Sequence, residues 1–206
     1  MRVPTVFVVD DDVSVRKALA RLLTSVGFGV ETFPGAAELL ARSPSQEHGC
    51  VLLDIKMPGT TGVELQQMLK TARIEMPVIF LSAHADVPLT VRAMKEGALD
   101  VITKPFQEDC LLDAVRRAIT LDAARNRARD EYQQLRHRFD MLTPREQTVM
   151  ALVVTGKLNK EVALLIGTSV KTVKVHRAQV MTKMQASSLP ELVRMADRLG
   201  PLKTFR

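Results

Sequence analysis

Five short apolar runs punctuate the first 120 residues, and their order leaves few folds open. They are Thr5–Val9, Gly29–Phe33, Cys50–Leu53, Val78–Ser82 and Asp100–Thr103. They are rich in β-branched residues and show little alternation, as strands covered on both faces do. Amphipathic stripes lie between them: Val15-Leu19-Leu22-Leu23-Val26, Val63-Leu65-Met68-Leu69 and Val87-Val91-Met94. This repeated strand–helix order predicts a doubly wound, five-stranded parallel α/β sheet with right-handed crossovers and helices on both sides.

In such a sheet, ligands bind beyond the carboxyl ends of the strands. The residues at those ends therefore carry the chemistry. The first strand runs into Asp10-Asp11-Asp12 and the third into Asp54. The fourth ends on Ser82, and the fifth meets Lys104-Pro105. Each has a local use taken alone: Asp12 as a helix cap, Asp54 as a turn-former before Pro58-Gly59, Lys104 as a surface lysine. Their coincidence at one sheet edge points instead to a joint site. Clustered carboxylates repel unless a cation neutralises them, and hard oxygen ligands suit Mg²⁺. Ser82 and Lys104 would then contact phosphate oxygens. Asp54 becomes a candidate nucleophile, with the charge on the phosphoryl group offset by the metal and Lys104.

The segments VVDDD (8–12), LLDIKMPGTTG (52–62), FLSAHAD (80–86) and ITKPF (102–106) resemble the receiver domain of two-component response regulators. The resemblance covers residues 3 to about 120. It implies a flavodoxin-like fold of strand order 2-1-3-4-5 and phosphorylation of Asp54 by a sensor histidine kinase. It also implies that Asp10 and Asp11 are the acidic pair. Asp11 and Asp54, with the backbone carbonyl of Lys56, would hold Mg²⁺ or Mn²⁺. Ser82 would be the switch hydroxyl, Lys104 the phosphate-binding lysine and Pro105 a cis proline. One position departs from the pattern: Val101 stands where the family carries an aromatic residue. Glu64 and His84 read as surface or loop residues.

A helical pattern without Pro or Gly follows, from about 107 to 137. Leu111, Leu112, Val115 and Ile119 can pack on the sheet. A thin heptad seam (Leu111, Ala114, Ala118, Leu121, Arg125, Ala128, Tyr132, Leu135) is spoiled by Arg125, so the segment reads as a solvated connector rather than a stable coiled coil. Charge changes along the chain. Residues 1–120 carry thirteen Lys and Arg against fifteen Asp and Glu, residues 121–138 five against three, and residues 139–206 eleven against five. A basic tail suggests an anionic partner, nucleic acid first among them.

That tail reads as short helices near 144–155, 159–166, 170–184 and 189–199. Thr143, Pro144 and Glu146 form a capping box at its start. A helix, a turn at Gly167 and a second helix give helix-turn-helix geometry. Lys171, Lys174, Arg177 and Ala178 share one face of the second helix, and Lys160 begins the first. Residues 142–184, from LTPREQ to MTKM, resemble the LuxR-type DNA-binding domain. With the receiver motifs they resemble the NarL/FixJ class of regulators. By that resemblance Lys174 and Val175 contact bases, while Lys160, Lys171 and Arg177 lie near phosphates. Lys157-Leu158 replaces the family's Leu-Ser before Asn159, so Asn159 is expected to cap the helix instead.

The expected organisation is a receiver domain (1–120), a linker helix continuing its last helix (121–138) and an all-α DNA-binding domain (139–206). The expected protein is a cytoplasmic regulator, not an enzyme. It binds promoter DNA as a homodimer when phosphorylated and engages RNA polymerase. The N-terminus meets acid too early for a secretory signal, and no apolar run approaches the ~20 residues that span a bilayer. Cys50 and Cys110 have no CxxC partner and read as ordinary buried thiols of a reducing compartment. A phosphoaspartyl hydrolase of the haloacid-dehalogenase type would need a second Asp two residues after Asp54, where Lys56 stands. A phosphorylation-independent DNA-binding or interaction module is the other alternative.

Overall fold

The apolar runs form a single parallel sheet in the structure, a computed structural model that describes residues 3–42, 44, 47–72, 74–83 and 87–201. The strands are β1 (Thr5–Val9), β2 (Gly29–Phe33), β3 (Gly49–Asp54), β4 (Val78–Ser82) and β5 (Asp100–Thr103), in the order β2-β1-β3-β4-β5. The crossovers contain α1 (Val13–Ser25), α2 (Ala36–Arg42), α3 (Gly62–Thr71) and α4 (Val87–Lys95). His84 lies outside the described residues. Glu64 is exposed, and it closes a capping box with Thr61 at the start of α3. β3 is longer than its apolar run because Gly49 pairs with Thr5 and Asp54 with Leu81.

Strand parity divides the core in two, since alternate residues face opposite sides. Phe7, Val9, Val51, Leu53 and Phe80 pack with Leu39 of α2, Leu65 and Leu69 of α3 and Ala93 of α4. Val6, Val8, Leu52, Ile79 and Leu81 pack on the other face. There they meet Leu19 and Leu23 of α1 and Leu111, Leu112, Val115 and Ala118 of α5 (Glu108–Asp140). Each fully buried Val, Leu, Ile or Phe among them contributes about 1.5–3 kcal/mol by leaving water. These two faces hold the strand ends in one plane. Cys50 belongs to the second face, and burial pushes its thiol up to about 12. Cys110, expected to be buried too, is exposed on the first turn of α5.

The amino end of β3 has an unexpected anchor. The Asp122 carboxylate of α5, itself buried, accepts the Gly49 N–H at 3.0 Å and the Asn126 amide at 2.9 Å. Further along α5, Ala128 and Tyr132 of the thin seam are exposed.

The contacts divide the chain into two units, Met1–Asn126 and Arg127–Arg206. In the second, α6 (Pro144–Val154), α7 (Asn159–Ile166), α8 (Val170–Met184) and α9 (Leu189–Leu199) enclose two apolar clusters. Thr143 and Glu146 make the expected capping box. Glu146 is buried and also accepts Lys183 Nζ at 2.7 Å. Burial pushes its carboxyl up, but the Lys183 ammonium and the Thr143 donors outweigh that and hold it below its ordinary value. The sign follows from linkage: a depressed carboxyl stabilises the fold fully above its ordinary value and loses that contribution as pH falls through the depressed one. The second unit's melting temperature is therefore expected to fall by a few degrees in this acid range. Glu146→Gln should flatten that acid limb in melts followed by circular dichroism.

Candidate functional site

β1 hands its last bond to the Asp10 N–H, which donates to Phe33 O at 3.2 Å. The three residues that follow β1, Asp10 to Asp12, are all aspartates. Asp10 is fully buried: Oδ1 accepts the Asp12 N–H at 2.9 Å and Oδ2 accepts Lys104 Nζ at 2.7 Å. Asp12 caps α1 by accepting the Ser14 N–H at 2.7 Å. Asp11 is exposed, and its carboxylate has no partner among the described residues. Arg16, one turn into α1, donates from Nη1 to the backbone carbonyls of Asp10 and Asp11 at 2.6 and 2.9 Å. Sequence reasoning missed it, because nothing local marks an arginine that turns back onto its own loop.

Asp54 ends β3, buried like the strand before it. Its Oδ1 accepts the Lys56 N–H at 2.9 Å, an Asx-turn, and its Oδ2 accepts Lys104 Nζ at 2.7 Å. The turn and the contact with Lys104 thus coexist at one carboxylate. The chain then leaves through Lys56, which is exposed, and Gly59, whose φ of +83° favours glycine. It returns at Gly62, where a Cβ would lie 2.5 Å from the Asp54 carbonyl oxygen and 2.8 Å from Phe80 Cε1. Ser82 is buried at the end of β4, and its carbonyl accepts the Lys104 N–H at 2.7 Å. The Lys104–Pro105 peptide bond is cis, as the resemblance implies. Val101 packs, partly buried, against the α2–α4 face of the sheet.

Asp10, Asp11 and Asp54 each offer an oxygen within 4.8 Å of the others. Lys104 bridges only Asp10 and Asp54, so one ammonium faces three carboxylates. Burial pushes the Asp10 carboxyl up, against the pull of Lys104. Burial alone would lower Lys104, but its bonds to Asp10 and Asp54 hold its ammonium above the usual lysine range. The excess negative charge, the hard oxygen donors and a solvent-facing Asp11 fit a dication that keeps part of its water.

In the second unit, α7 ends at Gly167 in the left-handed region (φ +66°), and Ser169 caps α8 by accepting the Thr172 N–H at 3.1 Å. Val173 and Val180 turn inward, while Lys171, Lys174 and Val175 are exposed on α8 and Lys160 is exposed on α7. Arg177 is half-buried and donates to Asn159 Oδ1 at 3.2 Å. The expected Asn159 cap is not what forms. Asn159 is the first helical residue, and the Glu161 carboxylate accepts the Leu158 N–H at 2.6 Å. Glu161 reaches the free amide directly, which leaves Asn159 to hold Arg177. Among the described residues, no helix is long and apolar enough to cross a membrane.

Residues 6–116 match the response regulator receiver domain, and residues 140–196 match the bacterial regulatory proteins of the luxR family. Nodulation protein W of Bradyrhizobium diazoefficiens is 45% identical over 195 residues, covering 95% of this chain and 86% of that protein. The solved structure of the response regulator StyR, a regulator that this chain's connector and motif wording resemble, is 46% identical with a TM-score of 0.89. The match spans 96% of this chain and all of that one. Full-length FixJ from B. japonicum is 41% identical with a TM-score of 0.59, over 97% of this chain and 98% of that structure.

Proposed function

Since the chain belongs to the response regulators that join a receiver domain to a LuxR-type DNA-binding domain, we propose that Asp54 is its phosphorylation site and that the phosphoryl group controls promoter binding. The observation that carries this reading is Lys104 Nζ at 2.7 Å from both Asp10 and Asp54, beside the exposed Asp11 carboxylate. A sensor histidine kinase is the donor. An Asp54 oxygen attacks phosphorus, the P–O bond forms as the P–N bond breaks, and the imidazole leaves with a proton. Asp10, Asp11, Asp54 and the Lys56 carbonyl would hold Mg²⁺ or Mn²⁺, which supplies charge neutralisation on the phosphoryl oxygens. Lys104 already touches the acceptor carboxylate, so its ammonium is in reach of the product. Ser82 is the switch hydroxyl. With Val101 at the aromatic position, no ring swing relays its movement.

Residues 1–120 act as receiver, 121–138 as linker helix and 139–206 as the DNA-binding domain. The protein is a cytoplasmic regulator with no enzymatic role of its own, dimeric when phosphorylated and in contact with RNA polymerase at the promoter. On DNA, Lys174 and Val175 face base edges. Lysine suits guanine, and the valine methyls suit the methyl group of thymine. Lys160, Lys171 and Arg177 serve the phosphates. The test is operator binding and sedimentation of the full chain with and without a phosphoryl mimic. Tighter binding and a dimer with the mimic support the reading. Equal binding in both states would instead identify a phosphorylation-independent DNA binder. In the same assay, Lys174→Ala is expected to weaken the cognate operator by about 1–3 kcal/mol and to relax preference at one position. Unchanged preference removes Lys174 from base readout.

A further inference from the structure

We propose that Arg16 is a positioning residue for the cation site: it clamps the backbone of the acidic loop and so aims the Asp11 carboxylate. The inference rests on reading Asp10, Asp11 and Asp54 as a divalent-cation site. Arg16 engages three consecutive carbonyls. Its Nη1 donates to Asp10 O at 2.6 Å and Asp11 O at 2.9 Å, and its backbone N–H donates to Asp12 O at 3.1 Å. The loop needs this more at Asp11 than at its neighbours. Asp10 is held through its side chain by Asp12 and Lys104, and Asp12 by Ser14. The Asp11 carboxylate has no partner among the described residues, so only the peptide units on either side of it fix its direction. Both of those units end in a carbonyl that Arg16 holds. Hydrogen bonds from a charged donor are about twice as strong as neutral ones. Groups that orient a ligand from behind in this way typically change metal affinity 10–100-fold when removed.

Charge and geometry predict opposite signs here. A guanidinium beside a cation site repels the cation, so on charge alone its removal tightens metal binding. Loss of the clamp frees Asp11 and weakens it. Calorimetric titration of the full chain with Mg²⁺ separates the two. Arg16→Ala is expected to raise the Mg²⁺ dissociation constant about tenfold, with the melting temperature in chelator unchanged. Arg16→Lys keeps the charge but ends short of the Nη1 position, and should also bind more weakly than wild type. Asp11→Asn alone should weaken binding at least as much, and adding Arg16→Ala to it should cost little more, because the clamp then has nothing to aim.

Binding by Arg16→Ala as tight as wild type, or tighter, overturns the proposal. So do fully additive losses in the double variant. If Arg16→Ala lowers the melting temperature in chelator, Arg16→Lys decides, and a wild-type constant there overturns the proposal. Failure of the unaltered chain to bind Mg²⁺ overturns the cation-site reading itself, and it is seen before any substitution is made.

Discussion

Asp54→Asn is expected to take no label from a radioactive phosphodonor, whether an acyl phosphate or a phosphorylated kinase. The substitution changes little in volume, so the test reports chemistry rather than packing. An amide oxygen can still accept the Lys56 N–H that Asp54 accepts at 2.9 Å. The other side of the group is where the effect lies. There the Asp54 oxygen accepts Lys104 Nζ at 2.7 Å, and an NH₂ would set donor against donor. The carboxylate proposed as nucleophile and as one of three acidic ligands is lost, and Lys104 keeps only Asp10. Label should fall to background and Mg²⁺ affinity at least tenfold, while the melting temperature stays within a few degrees. Incorporation at the wild-type level would remove Asp54 from the mechanism.

The second large effect is structural and lies at the other end of the same strand. Gly49 pairs with Thr5, and a Cβ there would lie 1.7 Å from the Thr5 carbonyl oxygen. Nothing nearby can yield. β3 is hydrogen-bonded between β1 and β4, Thr5 donates its N–H to His48 O at 2.9 Å, and Asp122 holds the Gly49 N–H. Gly49→Ala should cost more than about 4 kcal/mol, against the 5–15 kcal/mol that holds a typical domain together. A fall of roughly 15 °C or more in the first unit's melting temperature is expected, with the second unit's helices retained. A shift of only a few degrees would show that β1 and β3 can separate there.

What the sequence makes legible is whatever depends on neighbours in the chain. The five strands announce themselves because burial on both faces demands continuous apolar residues. The chemistry announces itself because four of the five strands, β1, β3, β4 and β5, end on or run into polar residues at their carboxyl ends. Thr143-Pro144-x-Glu146 is readable as a cap because its partners are three residues apart. The residues that escaped are those whose reason lies far away. Gly49 and Gly62 look like ordinary loop glycines until Thr5 and Phe80 press against them. Asp122 looks like a solvated residue of a polar helix until it meets the Gly49 amide, 73 positions earlier. Helix α2 has only seven residues, too few for a periodic stripe to declare itself. The Thr61–Glu64 box is the exception: its partners are only three residues apart, yet Glu64 taken alone reads as a surface residue, and it is exposed as well as capping.

Lys104 and the lysines of α8 carry the same charge in different surroundings. The first is largely buried and already in contact with both carboxylates it serves. Lys171 and Lys174 stand in water. Mobile ions reach the second kind and barely reach the first. DNA binding, in which each phosphate neutralised releases condensed counterions, weakens steeply as salt rises. Charge compensation inside the acidic pocket does not. Ionic strength therefore acts on the two halves of this regulator separately: concentrated salt strips the protein from DNA while leaving the pocket's internal counter-ion in place.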